Sequence, residues 1–351
     1  MNQTSLLDSA RNAWALSPFG LGFDIDHLTE SVLLYDKPHA RVERIAPTPE
    51  QTGNPVLLVT PLAVPVSCWD LRPGQSMAAH LATEEHRPTY TIDYGEMTFA
   101  DRSMGFEHWV DGILPEAVRR ISAEHDKPVH LVGWSHGGTM SLLLGAHLPE
   151  LPIASITAIG TPTDYRLNFT FLPFFIAHEA VGLAPIFLAT RLVGGTTAPV
   201  TRLGYRWLAP VRELTKPWAL ARNLHRPEVL AKISAVDRFI DEMPGYPGRF
   251  FNQAIGRIVV HRDLANGTVH LTDDLKIDMD RLEVPTLLIG STTDVLANAA
   301  SVEAGVSAYR NADVKFVEVA GFSHLGLIAS SRARELTWPA VDKHLAANTT
   351  D

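Results

Sequence analysis

Cysteine is almost absent from the sequence: Cys68 is the only one in 351 residues. A disulfide within the chain is therefore excluded, and the cysteine count gives no sign of an oxidising compartment. Blocks of lysine and arginine are also missing, and the formal net charge is −9, so we predict no nucleic-acid partner. The opening residues MNQTSLLDSARNAW lack the basic and long apolar regions of a secretory signal. We therefore expect a cytoplasmic protein.

The sequence also lacks a long uninterrupted apolar run. The most apolar stretch, residues 169–195, is broken by polar and helix-breaking residues: Pro173, His178, Glu179, Pro185 and Arg191. Since a membrane-spanning helix needs about 20 mostly apolar residues, we interpret this stretch as an apolar cap over a binding cleft. A peripheral contact with a lipid surface stays open as an alternative.

Motifs for metals and nucleotide cofactors are missing as well. The chain has no His-Glu-x-x-His pattern, no Walker loop and no Gly-x-Gly-x-x-Gly after a strand. We therefore predict neither a metal nor a cofactor.

What the sequence does contain is a series of short β-rich runs separated by helical segments. Several runs are nearly continuous Val, Ile and Leu, as in parallel strands covered on both faces. The runs are 40–46, 55–60, 89–94, 128–133, 154–160, 285–290 and 314–319. The alternation predicts an α/β fold with a mostly parallel, doubly wound sheet.

The spacing of these runs also predicts the domain organisation. No run of this kind lies between about 163 and 270, which indicates a helical cap inserted between two sheet strands. An N-terminal helix is predicted from the helical spacing of Leu6, Leu7, Ala10 and Ala13. The predicted division is an N-terminal helical segment (1–39), a core in two parts (40–162 and 271–351) and the cap (163–270).

The stretch LVGWSHGGTM, residues 131–140, joins a predicted strand to a predicted helix. Gly-x-Ser-x-Gly in this context predicts a sharp turn that exposes the hydroxyl of Ser135 above the sheet edge. Gly133 and Gly137 leave room for that turn. The alternative is that Ser135 only caps the helix.

A serine nucleophile needs a base, and the base needs an orienting acid. Asp294 follows the strand 285–290, and His324 follows the strand 314–319. Residues at the same edge of a parallel sheet converge in space, so we predict a Ser135–His324–Asp294 triad. Asp164, just after another strand, is an alternative acid, and Asp241 in the cap is a more remote one.

Several of these motifs resemble the α/β-hydrolase superfamily, and in particular its polyhydroxyalkanoate synthases. The similar stretches are GWSHGG, STTDVL and GFSHLGL, with 61–82, 90–96, 205–210, 262–271 and 334–345. The resemblance covers residues 40 to 346 and implies an α/β-hydrolase fold with a triad and a cap.

The chain departs from these synthases at the nucleophile. The resemblance implies a cysteine at the position of Ser135, where it would carry the growing polymer as a thioester. Cys68 lies in a different loop, well before the turn, and is interpreted as a buried apolar residue. We therefore predict hydrolysis or acyl transfer rather than polymerisation.

In the predicted mechanism, His324 takes the proton of Ser135 and Asp294 holds the imidazole in the useful tautomer. Backbone NH groups of His136 and Leu62, with Ala63 as the alternative to Leu62, would bind the oxyanion. We interpret the His136 side chain as a neighbour of the turn rather than a second base.

Aromatic and aliphatic side chains of the cap are the predicted acyl-binding residues. They are Phe171, Phe174, Phe175 and Phe187, with Phe169 and Leu188 in the same stretch. The alternative is that they only pack the interior of the cap.

The predicted substrate is an ester or thioester with a hydrophobic acyl group. Alternatives are a synthase-like acyltransferase, an intracellular polyhydroxyalkanoate depolymerase, or a catalytically silent relative that binds lipid or granules.

Overall fold

The computed structural model describes residue 9 and residues 11–15, 28–208 and 210–349. The strands in this part of the chain are β1 (Ser31–Lys37), β2 (Ala40–Ile45), β3 (Val56–Val59), β4 (Thr89–Asp93), β5 (Val129–Trp134), β6 (Ile153–Ile159), β7 (Gly195–Thr196), β8 (Tyr246–Pro247), β9 (Thr268–His270), β10 (Lys276–Asp278), β11 (Thr286–Gly290) and β12 (Val314–Glu318).

Eight of these strands form one sheet in the order β1-β2-β4-β3-β5-β6-β11-β12. The pairs β1–β2 and β2–β4 are antiparallel, and all other neighbours are parallel. All seven strands predicted from the sequence lie in this sheet. With its flanking helices, this is the α/β-hydrolase fold, and the predicted fold class is confirmed.

The N-terminal prediction needs a correction. Residues Ser31–Lys37 form the edge strand β1 and not part of a helical segment. Val32 and Leu33 face solvent there, so the usual alternation of a half-buried strand is weak and the sequence pattern missed it. Leu6, Leu7 and Ala10 lie outside the described residues, whereas residues 11–15, including Ala13, are helical.

Alternating side chains of the central strands bury against two separate layers. In β3, Leu57 and Val59 pack into one hydrophobic cluster, and Val56 and Leu58 pack into the other. Successive residues of a strand point to opposite faces, so a strand that is apolar throughout requires cover on both sides. The core therefore lies on both faces of the sheet, and its rigid strands carry the loops at their carboxyl ends.

The helices flank this sheet or build the insertion. Within residues 28–208 and 210–349 the α-helices are Met77–Ala79, Leu114–His125, His136–His147, Leu172–Val181, Ala184–Val193, Ala198–Trp207, Pro210–Arg222, Pro227–Asp241, Gly248–Gln253, Ala299–Glu303, Gly305–Ala308, Gly326–Ala329 and Ala333–Ala347. Wider π-helical turns occur at His80–Glu84, His108–Ile113 and Ala254–Val260, and 3₁₀ turns at Val66–Cys68, Phe99–Ser103, Tyr165–Leu167, Phe169–Phe171 and Met279–Arg281.

Between β6 and β11 the chain leaves the sheet. This excursion is mainly helical, and it adds two small antiparallel pairs, β7–β8 and β9–β10. We refer to residues 163–270 as the insertion, the range predicted from the sequence.

Two apolar helices of the insertion were compared with the length and apolarity of a membrane-spanning helix. Within the described residues, no helix taken singly has the length and apolarity needed to cross a bilayer. The segments Phe169–Val181 and Ala184–Val193 reach that length and composition only together, and they meet at a bend of 110°.

Candidate active site

Ser135 sits on a sharp turn between β5 and the helix His136–His147, which we call the elbow helix. Its backbone has φ +54° and ψ −125°, a conformation that a residue with a side chain adopts only under strain. Its NH donates to the carbonyl of Ile159 at 2.8 Å, and its own carbonyl accepts from Thr161 Oγ1 at 3.0 Å. The sheet thus holds the serine in its strained conformation.

The two glycines of the motif are required by close backbone approach. A Cβ on Gly133 would lie 2.5 Å from the carbonyl carbon of Gly137, and a Cβ on Gly137 would overlap the carbonyl oxygen of Val59. Gly137 therefore packs directly on the end of β3. The turn could not form with larger residues at either position.

His324 and Asp294, predicted from separate loops, are in contact. Asp294 Oδ2 lies 2.7 Å from His324 Nδ1, and the carboxylate is fully buried. Its other oxygen accepts from the backbone NH groups of Leu296 at 2.8 Å and Ala297 at 3.0 Å. These bonds fix the carboxylate, and the carboxylate in turn fixes the imidazole, leaving Nε2 on the opposite side of the ring.

The two alternative acids are engaged elsewhere. Asp164 forms a forked pair with Arg262, in which Nε donates to Oδ1 at 2.8 Å and Nη2 bonds Oδ2. Burial opposes ionisation of Asp164, but the hydrogen bonds from Arg262 and from the NH of Arg166 outweigh it and lower its pKa. Asp241 is exposed and pairs with Arg206 at 2.7 Å.

Trp134, which the sequence analysis did not single out, supports His324. Its ring lies 4.9 Å from the imidazole at 36°, and its indole NH donates to the backbone carbonyl of His324 at 3.2 Å. The indole is 1% exposed. Its position at the end of β5, directly before Ser135, is the signal that the sequence offered.

Ser135 and His324 both line an apolar cavity of about 370 Å³ beneath the insertion. The Nε2 atom of His324 is buried and has no hydrogen-bond partner among the described residues. Ser135 and His324 thus share the cavity wall without a hydrogen bond between Oγ and Nε2. The cavity is therefore the place where a group bound beside Ser135 would meet a base.

The environment of His136 differs from that of His324. Its ring makes edge contacts with Phe106, Tyr246 and Phe250. Desolvation by these rings, with the nearby His324 as a smaller cause, lowers the pKa of His136 to about 4. The side chain is thus neutral at physiological pH.

The predicted oxyanion donors come from two segments, the start of the elbow helix and the loop after β3. The NH of His136 begins the elbow helix, where the first NH groups have no partner within the helix. Leu62 and Ala63 are buried in the loop after β3, and Ala63 has φ +61°. Because Gly137 packs on the end of β3, this loop adjoins the elbow. Neither Leu62 nor Ala63 is among the described residues that line the cavity.

The aromatic residues predicted to bind the acyl group divide into two sets. Phe171 and Phe174 line the cavity. Phe175 and Phe187 do not: Arg166 lies over the ring of Phe175, and the ring of Phe187 packs on Gly256. The cavity wall thus includes two of the four predicted side chains. Phe174 and Phe175 are consecutive residues of one helix and therefore point in different directions.

Much of the cavity wall comes from two helical stripes that were not predicted. Each has a spacing of four residues, which places its members on one helix face. The first stripe is Phe251, Ile255 and Val259, and the second is Val200, Gly204 and Leu208. Thr196, Thr201, Tyr205 and Tyr246 also line the cavity. The four-residue spacing was the available signal, but it does not distinguish a cavity wall from packed core.

One cluster has the composition of a metal site. His80, Glu85 and Asp342 bring their ligand atoms within 4.8 Å of one another. Both ring nitrogens of His80 are already bonded, to Asp342 at 2.9 Å and to Glu84 at 3.2 Å. The cluster is accounted for as an ion-pair network around His80.

The chain is similar in sequence to two poly(3-hydroxyalkanoate) polymerase subunits. It is 24% identical over 305 residues to the poly(3-hydroxyalkanoate) polymerase subunit PhaC of Haloferax mediterranei, covering 85% of this chain and 60% of that protein. It is also 24% identical over 309 residues to the PhaC of Allochromatium vinosum, covering 87% and 84%. The chain thus spans less than two thirds of the Haloferax relative. No protein-family model matches the chain.

Solved structures with similar folds carry other names. A putative lipase from Acinetobacter baumannii superposes with a TM-score of 0.49 at 15% identity, covering 99% of this chain and 98% of that one. The enol-lactonase of Burkholderia xenovorans gives 0.44 at 16%, covering 88% and 97%. The chain resembles polyhydroxyalkanoate polymerases in sequence and has the α/β-hydrolase fold.

Proposed function

We propose that the protein is a serine hydrolase that acts on carboxylic esters or thioesters with hydrophobic acyl groups. The observation that carries the proposal is the position of Ser135, on a strained turn at the wall of an apolar cavity that it shares with His324. The buried Asp294, bonded to the far side of the imidazole, supplies the third component of a triad.

The proposed reaction has two halves. His324 Nε2 takes the hydroxyl proton as Ser135 Oγ bonds to the substrate carbonyl carbon, and the carbonyl oxygen becomes an oxyanion. When the intermediate collapses, the bond to the alcohol or thiol breaks, and His324 returns the proton to that leaving group. A water molecule, deprotonated by His324, then attacks the carbonyl carbon of the acyl-Ser135 ester. The bond from that carbon to Ser135 Oγ breaks, His324 returns the proton to Oγ, and the carboxylic acid leaves.

Backbone NH groups would stabilise both oxyanions. The NH of His136 and one NH of Leu62 or Ala63 are the proposed donors. Loss of one such donor typically costs about 3 kcal/mol in other enzymes. The strain at Ser135 suits this role, since the turn that exposes the hydroxyl also turns the next NH toward the same side.

The cavity supports a hydrophobic acyl group. Its volume lies at the lower end of the range of roughly 300–1,000 Å³ for small-molecule sites. Phe171, Phe174, Ile255 and Val259 contribute apolar wall, and Tyr205 adds a hydroxyl. A short or medium acyl chain fits this description.

Hydrolysis of a panel of p-nitrophenyl esters of increasing acyl length tests the proposal. We expect turnover by the wild type and a loss of several orders of magnitude in Ser135→Ala. Val259→Trp, which narrows the cavity, should lower kcat/KM for longer esters most, whereas Phe187→Leu, outside the cavity, should leave the chain-length profile in place. A Ser135→Ala variant with near wild-type turnover would contradict the proposal.

A second candidate, acyl transfer to the hydroxyl of another acyl group, is favoured by the similarity to the two PhaC proteins. Coenzyme A release and polymer yield from 3-hydroxybutyryl-coenzyme A separate it from hydrolysis. We expect no polymer from the wild type. Ser135→Cys, with a thiol of pKa about 8.5 when free, should lose most esterase turnover and release coenzyme A slowly. Abundant polymer from the wild type would favour the second candidate.

A further inference from the structure

One helix of the insertion runs from the cavity wall into solvent. On Ala198–Trp207, Val200 and Gly204 line the cavity, while Leu203 and Trp207 are exposed. Spacings of three and four residues place all four positions on one helix face. The apolar lining of the cavity therefore continues as an apolar outer surface.

Neighbouring helices extend this exposed apolar surface. Pro210–Arg222 contacts the previous helix and exposes Leu214 by 81% and Trp218 by 76%, one turn apart. Single exposed apolar residues are common, whereas large ones that cluster on contacting helices are typical of an interaction site. The helix Leu172–Val181 shares the cavity wall with Ala198–Trp207 through Phe174 and Val200, and it is followed by Ala184–Val193. We define the docking surface as exposed apolar residues of these four successive helices: Leu172, Ile176, Leu188, Leu192, Val200, Leu203, Trp207, Leu214 and Trp218.

The charge of this region is opposite to that of the whole chain. Residues 169–226 contain seven Arg or Lys and two Asp or Glu, a net charge of +5, in a protein of net charge −9. Arg222 follows Trp218 by four residues and Arg191 follows Leu188 by three, so each lies on the face of its apolar neighbour. Both arginines are exposed.

Acidic residues of this stretch and of the helix that follows it offset part of that charge. Glu213 is paired with Arg206 at 2.9 Å. Glu179 is exposed, and Arg166, just before the stretch, lies 4.0 Å from it. Asp237 and Asp241 of the next helix pair with Arg212 and Lys216 and with Arg206. Arg191 and Arg222 therefore carry the positive charge that borders the docking surface.

We propose that the docking surface binds an anionic lipid bilayer, with Trp207 and Trp218 in the headgroup region and Arg191 and Arg222 near lipid phosphates. Tryptophan favours the membrane interface because its ring is apolar and its NH is polar. Anionic lipids attract basic residues beside such a face. A second copy of the chain is a poorer partner, since it would bring two positive surfaces together.

Vesicle co-sedimentation of the full chain tests this proposal. The probes are phosphatidylcholine vesicles and vesicles in which about a third of the lipid is phosphatidylglycerol. We expect binding to the second kind, weakened at high salt, although a chain of net charge −9 is repelled overall. Using Ser135→Ala for these measurements keeps binding separate from any hydrolysis.

Two pairs of variants identify the surface. The double variant Trp207→Gln/Trp218→Gln should lower the protein's vesicle–water partition coefficient by about tenfold or more. The double variant Arg191→Glu/Arg222→Glu should lower the same partition coefficient by at least about fivefold for each arginine replaced. The controls are Leu33→Gln with Leu336→Gln, and Lys315→Glu with Lys343→Glu, all exposed side chains of the core. Circular dichroism melting verifies that every variant is folded.

Selective binding to anionic vesicles that both insertion pairs weaken and both control pairs retain supports the proposal. Absence of binding, equal binding to neutral vesicles, or binding unaffected by the insertion variants overturns it. Sedimentation-velocity dimers that the tryptophan variants dissociate, without vesicle binding, would assign the surface to a second copy instead.

Discussion

The indole ring of Trp134 lies 4.9 Å from the imidazole of His324, and its NH holds the backbone carbonyl of that residue at 3.2 Å. One side chain therefore constrains both the ring and the backbone of the proposed base. Because Trp134 directly precedes Ser135, the same strand end positions the proposed nucleophile and supports the proposed base.

Trp134→Phe keeps an aromatic ring and removes the hydrogen bond. We expect kcat for an ester to fall by about tenfold with KM nearly unchanged, since Trp134 supports His324 and does not line the cavity. Steady-state kinetics on one activated ester gives both parameters.

Trp338 provides a matched control. Its ring lies 4.9 Å from that of His80, and its NH donates to the carbonyl of Ile328 at 3.0 Å. Trp338→Phe and Trp134→Phe should each lower the free energy of unfolding by about 1 kcal/mol. Only Trp134→Phe should also lower kcat. Equal losses of kcat in the two variants would reduce the role of Trp134 to packing.

Asp294 and Asp164 should differ sharply in their effect on turnover. We expect Asp294→Asn to lower kcat on the order of 10⁴-fold, as loss of the orienting carboxylate does in other triads. Asp164→Asn should be close to wild type, because Asp164 is bonded to Arg262. Kinetics of both variants on the same ester is the measurement, and the reverse ranking would move the acid to the loop after β6.

Asp164 should instead matter for stability. Its pKa is lowered in the folded state, so its contribution is present above the pKa of the unfolded chain, about 4, and is lost as pH falls through the lower folded value. Asp164→Asn should lower the free energy of unfolding by about 1–3 kcal/mol at pH 7. Urea unfolding from pH 7 to pH 3 should show this difference shrinking; a difference that grew on acidification would contradict the assignment.

His136 should contribute its backbone NH and not its side chain. We expect His136→Leu to retain ester turnover within about tenfold, since the leucine keeps the NH. The pKa of His136 is lowered to about 4, so between that pH and about 6.5 the unfolded chain binds the extra proton. The wild type therefore loses stability on acidification through this range.

The leucine variant removes that effect. Thermal melts from pH 7 to pH 4 should show a shallower acid loss of stability for His136→Leu than for wild type. A collapse of turnover in this variant at unchanged stability would make the side chain part of the chemistry.

The sheet was predictable because buried parallel strands have an apolar pattern that few other elements share. Each of the runs at 55–60, 128–133 and 285–290 is apolar on both faces and ends in a turn residue. Strand β1 has exposed apolar residues at Val32 and Leu33, and that pattern has no distinct period.

The contact between His324 and Asp294 was predictable for a related reason. Parallel strands deliver their following loops to one edge, so chain order and strand position suffice. The cavity wall was not predictable in the same way. Phe174 and Phe175 are adjacent and equally apolar, yet only Phe174 lines the cavity, because that distinction depends on how the helices of the insertion pack.

The most direct test of the account is labelling of the purified wild type by a fluorophosphonate, followed by peptide mass spectrometry. The reagent phosphonylates a serine only where a base activates it. We predict one adduct in the wild type, on the peptide that contains Ser135. The Ser135→Ala variant should form no adduct, and the Asp294→Asn variant should show none at short reaction times. An unlabelled wild-type protein, or an adduct on a different residue, would contradict the claim that Ser135 is the nucleophile.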